Sequence, residues 1–227
     1  MLLHEGLGSV DRWKDLPTVL AERLGRRVMA YSRYGHGASD PPAQPRTTRF
    51  MHEEAELLSQ VLDRCGLGRV VLLGHSDGAS IALLAAAHLP DRIAGLVLEA
   101  PHVFVEDVGL ASIELMRVRY VESDLRQRLA KHHVHVDAAF SGWCDVWLDP
   151  AFRTWNLEPD LPRVTCPTLV IQGELDRFGT LAQVDAIVRQ VSGPAERLVL
   201  PDCGHTPHRD RRDIVVDAIV TFVSSLP

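Results

Sequence analysis

Lysine is nearly missing from this 227-residue chain: of its 24 basic residues only Lys14 and Lys131 are lysine, and the arginines are scattered rather than gathered into a stripe. With a formal charge of -6, that distribution argues against nucleic acid as the main partner. Cysteine is scarce as well. Cys65, Cys144, Cys166 and Cys203 lie far apart, with no C-x-x-C pair and no Cys/His spacing of a zinc site. Neither a disulfide framework nor a structural metal is expected, and a reducing, cytoplasmic setting is. No apolar run approaches the roughly 20 residues that cross a bilayer, and no basic-then-apolar leader stands ahead of the first apolar pair, so no membrane partner is expected. Internal repeats and low-complexity tracts are lacking too.

What is present is 46% hydrophobic and 24% charged residues, enough for one substantial core. Short apolar or β-branched runs alternate with longer helical patterns: Arg27 to Tyr31, Met51 to Arg64, Arg69 to Leu73, Ser76 to His88, Ile93 to Glu99. This rhythm predicts a mostly parallel sheet flanked by helices. It pauses between 105 and 162, where helix formers and the aromatic-bearing AFSGWCDVWLDPAFRTWN replace strands. Strands resume at Thr168 to Gln172 and Arg197 to Leu200, followed by helices at Leu181 to Val191 and Asp210 to Ser224. The chain therefore divides into a core, 1–104 and 163–227, and a helical insertion, 105–162.

The most informative stretch is RVVLLGHSDGASIALL, a buried strand that runs into Gly74-His75-Ser76-Asp77-Gly78 and then into an alanine-rich helix. G-x-S-x-G at a strand-to-helix junction is a nucleophile elbow. The turn is tight enough to strain the serine backbone, so the positions two before and two after must be almost free of side chain. It also sets Ser76 at a helix N-terminus, where N–H groups stabilise developing negative charge. The plain alternative is a serine that only caps the helix.

A serine nucleophile needs a base, and the base needs an acid to orient it. Both follow in the order acid then histidine, each after a strand. TLVIQ ends in Gly173-Glu174-Leu175-Asp176, and RLVL ends in Pro201-Asp202-Cys203-Gly204-His205. Asp176 is preferred to Glu174 because it lies further into its loop. His205 is preferred to His208, which stands near the start of the last helix and reads as a surface or capping residue. His132, His133 and His135 lack a ligand pattern for metal. His75 is the variable position of the elbow, and His36, His52, His88 and His102 show no convergent partners. Trp143, Trp147 and Trp155 either wall an acyl pocket or pack the insertion onto the core.

These landmarks together resemble the α/β-hydrolase-fold serine hydrolases, over essentially the whole chain. His4-Glu5-Gly6-Leu7-Gly8-Ser9 resembles that family's turn after its third strand, GHSDG its elbow, GELD its acid loop and CGHTPH its histidine loop. The resemblance implies Ser76 as nucleophile, His205 as general base and then acid, and Asp176 as the orienting carboxylate. It implies oxyanion donors in the backbone N–H of Asp77 and that of Gly6 or, since the local alignment is not unique, Leu7. It further implies that 105–162 is a helical lid, that the substrate is a small-molecule ester, and that no cofactor is needed. Glu5 departs from the family's usual glycine, and Ser32 in YSRYGHGAS departs from a common acidic residue.

Ser-Asp-Gly at the elbow is similar to the biphenyl hydrolase-like and valacyclovir hydrolase group. One expectation is that the Asp77 carboxylate faces the pocket and favours substrates with an amino group near the scissile carbonyl. The alternative is an Asp77 turned to backbone or to a lid residue. The leading function is ester hydrolysis through an acyl-enzyme; carbon–carbon bond hydrolysis with the same triad, and a ligand-binding receptor with little turnover, are the alternatives. If HEGLGS follows the third strand, the family's first two strands have no residues here. A shortened first strand is then expected, with Arg27 to Tyr31 as an exposed sheet edge.

Overall fold

A computed structural model describes residues 1–226. Five parallel strands, β1 (Leu2–Leu3), β2 (Val70–His75), β3 (Ile93–Glu99), β4 (Thr168–Gly173) and β5 (Ala195–Leu200), lie side by side in sequence order. Each parallel step needs a crossover, and helices supply it. In chain order these are α1 (Leu16–Leu24), α2 (Phe50–Arg64), α3 (Asp77–His88), α4 (Asp107–Glu122), α5 (Leu125–Leu129), α6 (Val136–Leu148), α7 (Leu181–Gln190), α8 (Pro207–Asp210) and α9 (Arg212–Ser225).

The two-residue period of the strands divides the core in two. Leu3, Leu72, Leu96, Leu98 and Val170 face a core shared with α2, α3, α7 and the helical segment between β3 and β4. Their neighbours Leu2, Leu73, Val97, Leu169 and Ile171 face the opposite core, with Trp13, α1 and α9. α3 is buried on almost every side, in keeping with a sequence in which seven of twelve residues are alanine or leucine. Full burial of each such leucine stabilises the fold by roughly 2 kcal/mol.

Most expected elements occur within a residue or two of their sequence bounds. The exception is Arg27 to Tyr31, which forms no strand. Ala30 makes a single bridge to Leu2, and the Leu2 N–H donates to the Met29 carbonyl at 2.7 Å. β1 is two residues long, so it offers too short a ladder for a full neighbouring strand. The last helix is also interrupted at Arg211, which separates α8 from α9. The segment between β3 and β4 carries α4, α5 and α6. Among the described residues no helix is long and apolar enough to cross a membrane, and all four cysteines are unpaired.

Candidate active site

β2 and β3 run in register, with Gly74 opposite Leu98 and His75 opposite Glu99, up to the point where β2 ends. There the Ser76 N–H donates to the Glu99 carbonyl at 2.9 Å, and Ser76 adopts φ 54, ψ -120. That conformation is nearly reserved for glycine and costs a serine about 1–3 kcal/mol. A Cβ on Gly74 would strike the Gly78 carbonyl oxygen, and one on Gly78 would strike the Leu3 carbonyl oxygen. Only glycine lets strand, helix and β1 come this close.

The expected acid and base converge on this serine. His205 Nε2 lies 3.0 Å from Ser76 Oγ, and His205 Nδ1 lies 2.8 and 2.9 Å from the two oxygens of Asp176. Asp176 also accepts from the Phe178 N–H at 2.8 Å and from Gln172 Nε2 at 2.8 Å. Burial alone would raise its pKa, but the bonds from His205 and Phe178 outweigh that and hold it below the usual carboxylate value. Glu174 is exposed, and among the described residues no hydrogen bond or ion pair joins it to the histidine.

Neither the Gly6 N–H nor the Asp77 N–H donates to another group among the described residues. Both residues line one cavity of about 580 Å³ together with Ser76, His205 and Leu7. Ile113, Met116 and Leu125 from the helical segment make its apolar wall, with Trp143 and Trp147. Trp155 does not join them; it stacks on Phe152 with 5.2 Å between ring centres and packs the segment onto the core. Asp77 is buried and divided in its contacts: Oδ1 accepts from Trp147 Nε1 at 3.2 Å, while Oδ2 has no hydrogen-bond partner among the described residues. Burial pushes its pKa up, against the pull of Arg33 and Arg46.

Sequence reading missed several residues here. His102 reads as bland in the chain, yet its Nε2 stands 3.4 Å from Ser76 Oγ on the cavity wall. Burial and the neighbouring His205 push it down to about 3, so the ring is neutral. Ser80 accepts from the His102 N–H at 3.3 Å and donates to its carbonyl at 2.6 Å, which fixes the loop that carries it. Gln172 reads in the chain only as part of a strand. His208 is neither a surface nor a capping residue: it is buried, with Nδ1 2.7 Å from Glu99 Oε2. His75 is buried beside them, between Glu5 Oε2 at 3.6 Å and the His205 carbonyl, to which its Nε2–H donates at 2.6 Å. Burial alone would lower the His75 pKa, but Glu5, Glu99 and that carbonyl outweigh it and raise it. No cluster of three metal-ligating side chains occurs among the described residues.

A strained serine on such an elbow, approached by a histidine and an aspartate from the ends of later parallel strands, is the signature of one fold family. The chain belongs to the alpha/beta hydrolase family, whose model matches residues 1–218. It is similar to the serine hydrolase BPHL of Homo sapiens, 30% identical over 188 residues, 80% of this chain and 64% of that protein. It is also similar to the lipase LipV of Mycobacterium tuberculosis, 32% identical over 177 residues, 78% of this chain and 60% of that protein. The match spans less than two thirds of the length of either relative. Among solved structures, an esterase from Exiguobacterium antarcticum superposes with a TM-score of 0.76 at 21% identity, over 99% of this chain and 91% of that one, a likeness of fold.

Proposed function

We propose that the protein hydrolyses small carboxylic esters through an acyl-enzyme formed on Ser76. The observation that carries this reading is the continuous chain Ser76 Oγ, His205, Asp176, with contacts of 3.0 Å and 2.8 Å. In the reading, His205 Nε2 takes the Ser76 proton as Oγ attacks the ester carbonyl, and the N–H groups of Gly6 and Asp77 hold the resulting oxyanion. His205 then gives its proton to the departing alkoxide, leaving an acyl-serine. A water, deprotonated by the same histidine, attacks the acyl carbon, and Ser76 leaves with its proton restored. Asp176 stays ionised throughout and stabilises the imidazolium. The helical segment 105–162 acts as the lid that shapes the acyl pocket, and the four unpaired cysteines support a reducing, cytoplasmic setting.

The test is a p-nitrophenyl ester series of increasing acyl length with wild type and Ser76→Ala. Turnover that falls by roughly a millionfold in the variant is expected. Activity on a dienone acid but not on esters would point to carbon–carbon bond hydrolysis, and tight binding without turnover to a receptor.

The free Oδ2 of Asp77 favours one refinement, a preference for acyl groups that carry an amine near the scissile bond. An ammonium there would pair with a buried carboxylate oxygen that has no other partner. An amino-acyl ester should outrun its uncharged isostere in wild type, and Asp77→Asn should abolish the difference. Equal rates in wild type would remove the refinement and leave ester hydrolysis standing.

A further inference from the structure

The carbonyls of the turn that carries the Gly6 N–H are each gripped from behind by a histidine. The turn is closed by the Gly8 N–H donating to the Glu5 carbonyl at 3.0 Å. His4 Nδ1 lies 2.7 Å from that same carbonyl, His36 Nε2 lies 2.9 Å from the Gly6 carbonyl, and His133 Nε2 lies 3.1 Å from the Leu7 carbonyl. All peptides are trans, so each carbonyl that is held aims the N–H of the following residue the opposite way.

His133 stands apart from the other two because it belongs to the helical segment, at the corner between α5 and α6. Its tautomer follows from its neighbours. The Gly37 N–H donates to His133 Nδ1 at 3.0 Å, so Nδ1 bears a lone pair and the ring proton sits on Nε2, facing Leu7. A second bond ties the same corner down, from the Val134 N–H to the Gly37 carbonyl at 2.8 Å. The residue is 5% exposed, and burial lowers its pKa, in the direction of the neutral form that this pair of bonds requires.

We propose that His133 is a positioning residue for the turn 5–8: by holding the Leu7 carbonyl while itself held by Gly37, it aims the Gly8 N–H at the Glu5 carbonyl, which closes the turn that presents the Gly6 N–H and ties the helical segment to it. The mouth of the pocket and the oxyanion site are then set together. A displacement of the α5–α6 corner releases the turn. His133 does not touch the reacting atoms, and the oxyanion that the Gly6 N–H would hold develops only as the ester is attacked, so the effect of His133 belongs to kcat and not to ground-state binding.

The inference rests on the ester-hydrolase reading, and the test separates the two. Steady-state kinetics on a p-nitrophenyl ester compare wild type, His133→Phe, which keeps the ring shape without a donor, and His133→Gln, whose amide can donate to the Leu7 carbonyl. His133→Phe should lose roughly 10- to 100-fold in kcat at nearly unchanged KM. His133→Gln should recover most of it. A wild type inert to esters overturns both readings; an active wild type with His133→Phe within twofold in kcat, a loss confined to KM, or equal losses in both variants overturns this one alone. Should His133→Phe fail to fold, nitrogen NMR of the wild-type ring decides: a neutral ring protonated at Nε2 at pH 7 is required, and an Nδ1–H or doubly protonated ring overturns the proposal.

Discussion

At Asp176 three donors converge on one carboxylate: His205 Nδ1, the Phe178 N–H and Gln172 Nε2. Two of the three have nothing to do with proton transfer; they set the angle at which the aspartate meets the imidazole. Asp176→Asn should lower kcat about ten-thousandfold with little change in KM, because an amide in that place favours the wrong tautomer of His205. The buried pair Glu99 and His208 is a different matter, since it lies behind the elbow and serves the fold. Taking either partner alone leaves a buried polar group without its mate, so Glu99→Leu or His208→Phe should cost about 3–5 kcal/mol in urea denaturation. The double replacement Glu99→Leu with His208→Phe should cost less than the sum. Strict additivity would mean that the two side chains do not act as a pair.

The elbow joining β2 to α3 is the element whose strain is visible. Ser76 is held at φ 54, ψ -120 by the register of β2 on β3 and by the close approach of β1 to Gly78. Elsewhere in a protein, replacing alanine by glycine loosens the unfolded chain and destabilises. Here the order should reverse. Ser76→Gly should be more stable than Ser76→Ala by about 1 kcal/mol, because glycine enters this region without strain. Thermal unfolding of the two inactive variants measures the difference; a more stable alanine variant would show that the elbow is relaxed. The corner between α5 and α6 is the opposite kind of element, unstrained and held by side-chain and backbone bonds to Gly37 and Leu7.

For the whole molecule the histidines decide the response to acid. His4, His36, His102 and His133 are buried, and burial lowers each below the ordinary value of 6.5. Below that pH the unfolded chain binds protons that the fold refuses, so stability falls with the pH. His102 alone, held down to about 3, removes about 2 kcal/mol between pH 6.5 and pH 5. Asp77 and Glu54 act the other way, since burial raises both and the fold gains stability as they protonate. His75, raised in the fold, contributes fully below 6.5 and loses its contribution as the pH climbs through its folded value. The depressed carboxylates Asp176, Glu99 and Glu5 keep their contributions until the pH falls below about 4.5. Five lowered histidines, His52 included, against two raised acids and His75 predict a lower urea midpoint at pH 5 than at pH 7. A flat profile over that range would sink this account.

Features whose physics is local were legible in the chain. The elbow, the acid loop and the histidine loop each announce themselves within a few residues, because a tight turn demands glycine wherever it occurs and the alternation of short apolar runs with helical patterns demands a parallel sheet. The extended run at 27–31 looked equally local and misled, since a strand exists only where a neighbour offers a ladder, and β1 offers two residues. His102, Gln172, Glu99 with His208, and His133 carry no mark in the sequence at all. Their partners lie 26, 4, 109 and 126 positions away, on other loops or, for Gln172, across the end of its own strand. A histidine is bland until the fold decides what stands beside each ring nitrogen. By itself the sequence determined the tight turn at Ser76 and the residue types of the acid and histidine loops, because those residues and turns are required one by one. Only the tertiary structure decided which neutral rings and buried carboxylates surround them, because hydrogen bonds and desolvation act through space and not along the chain.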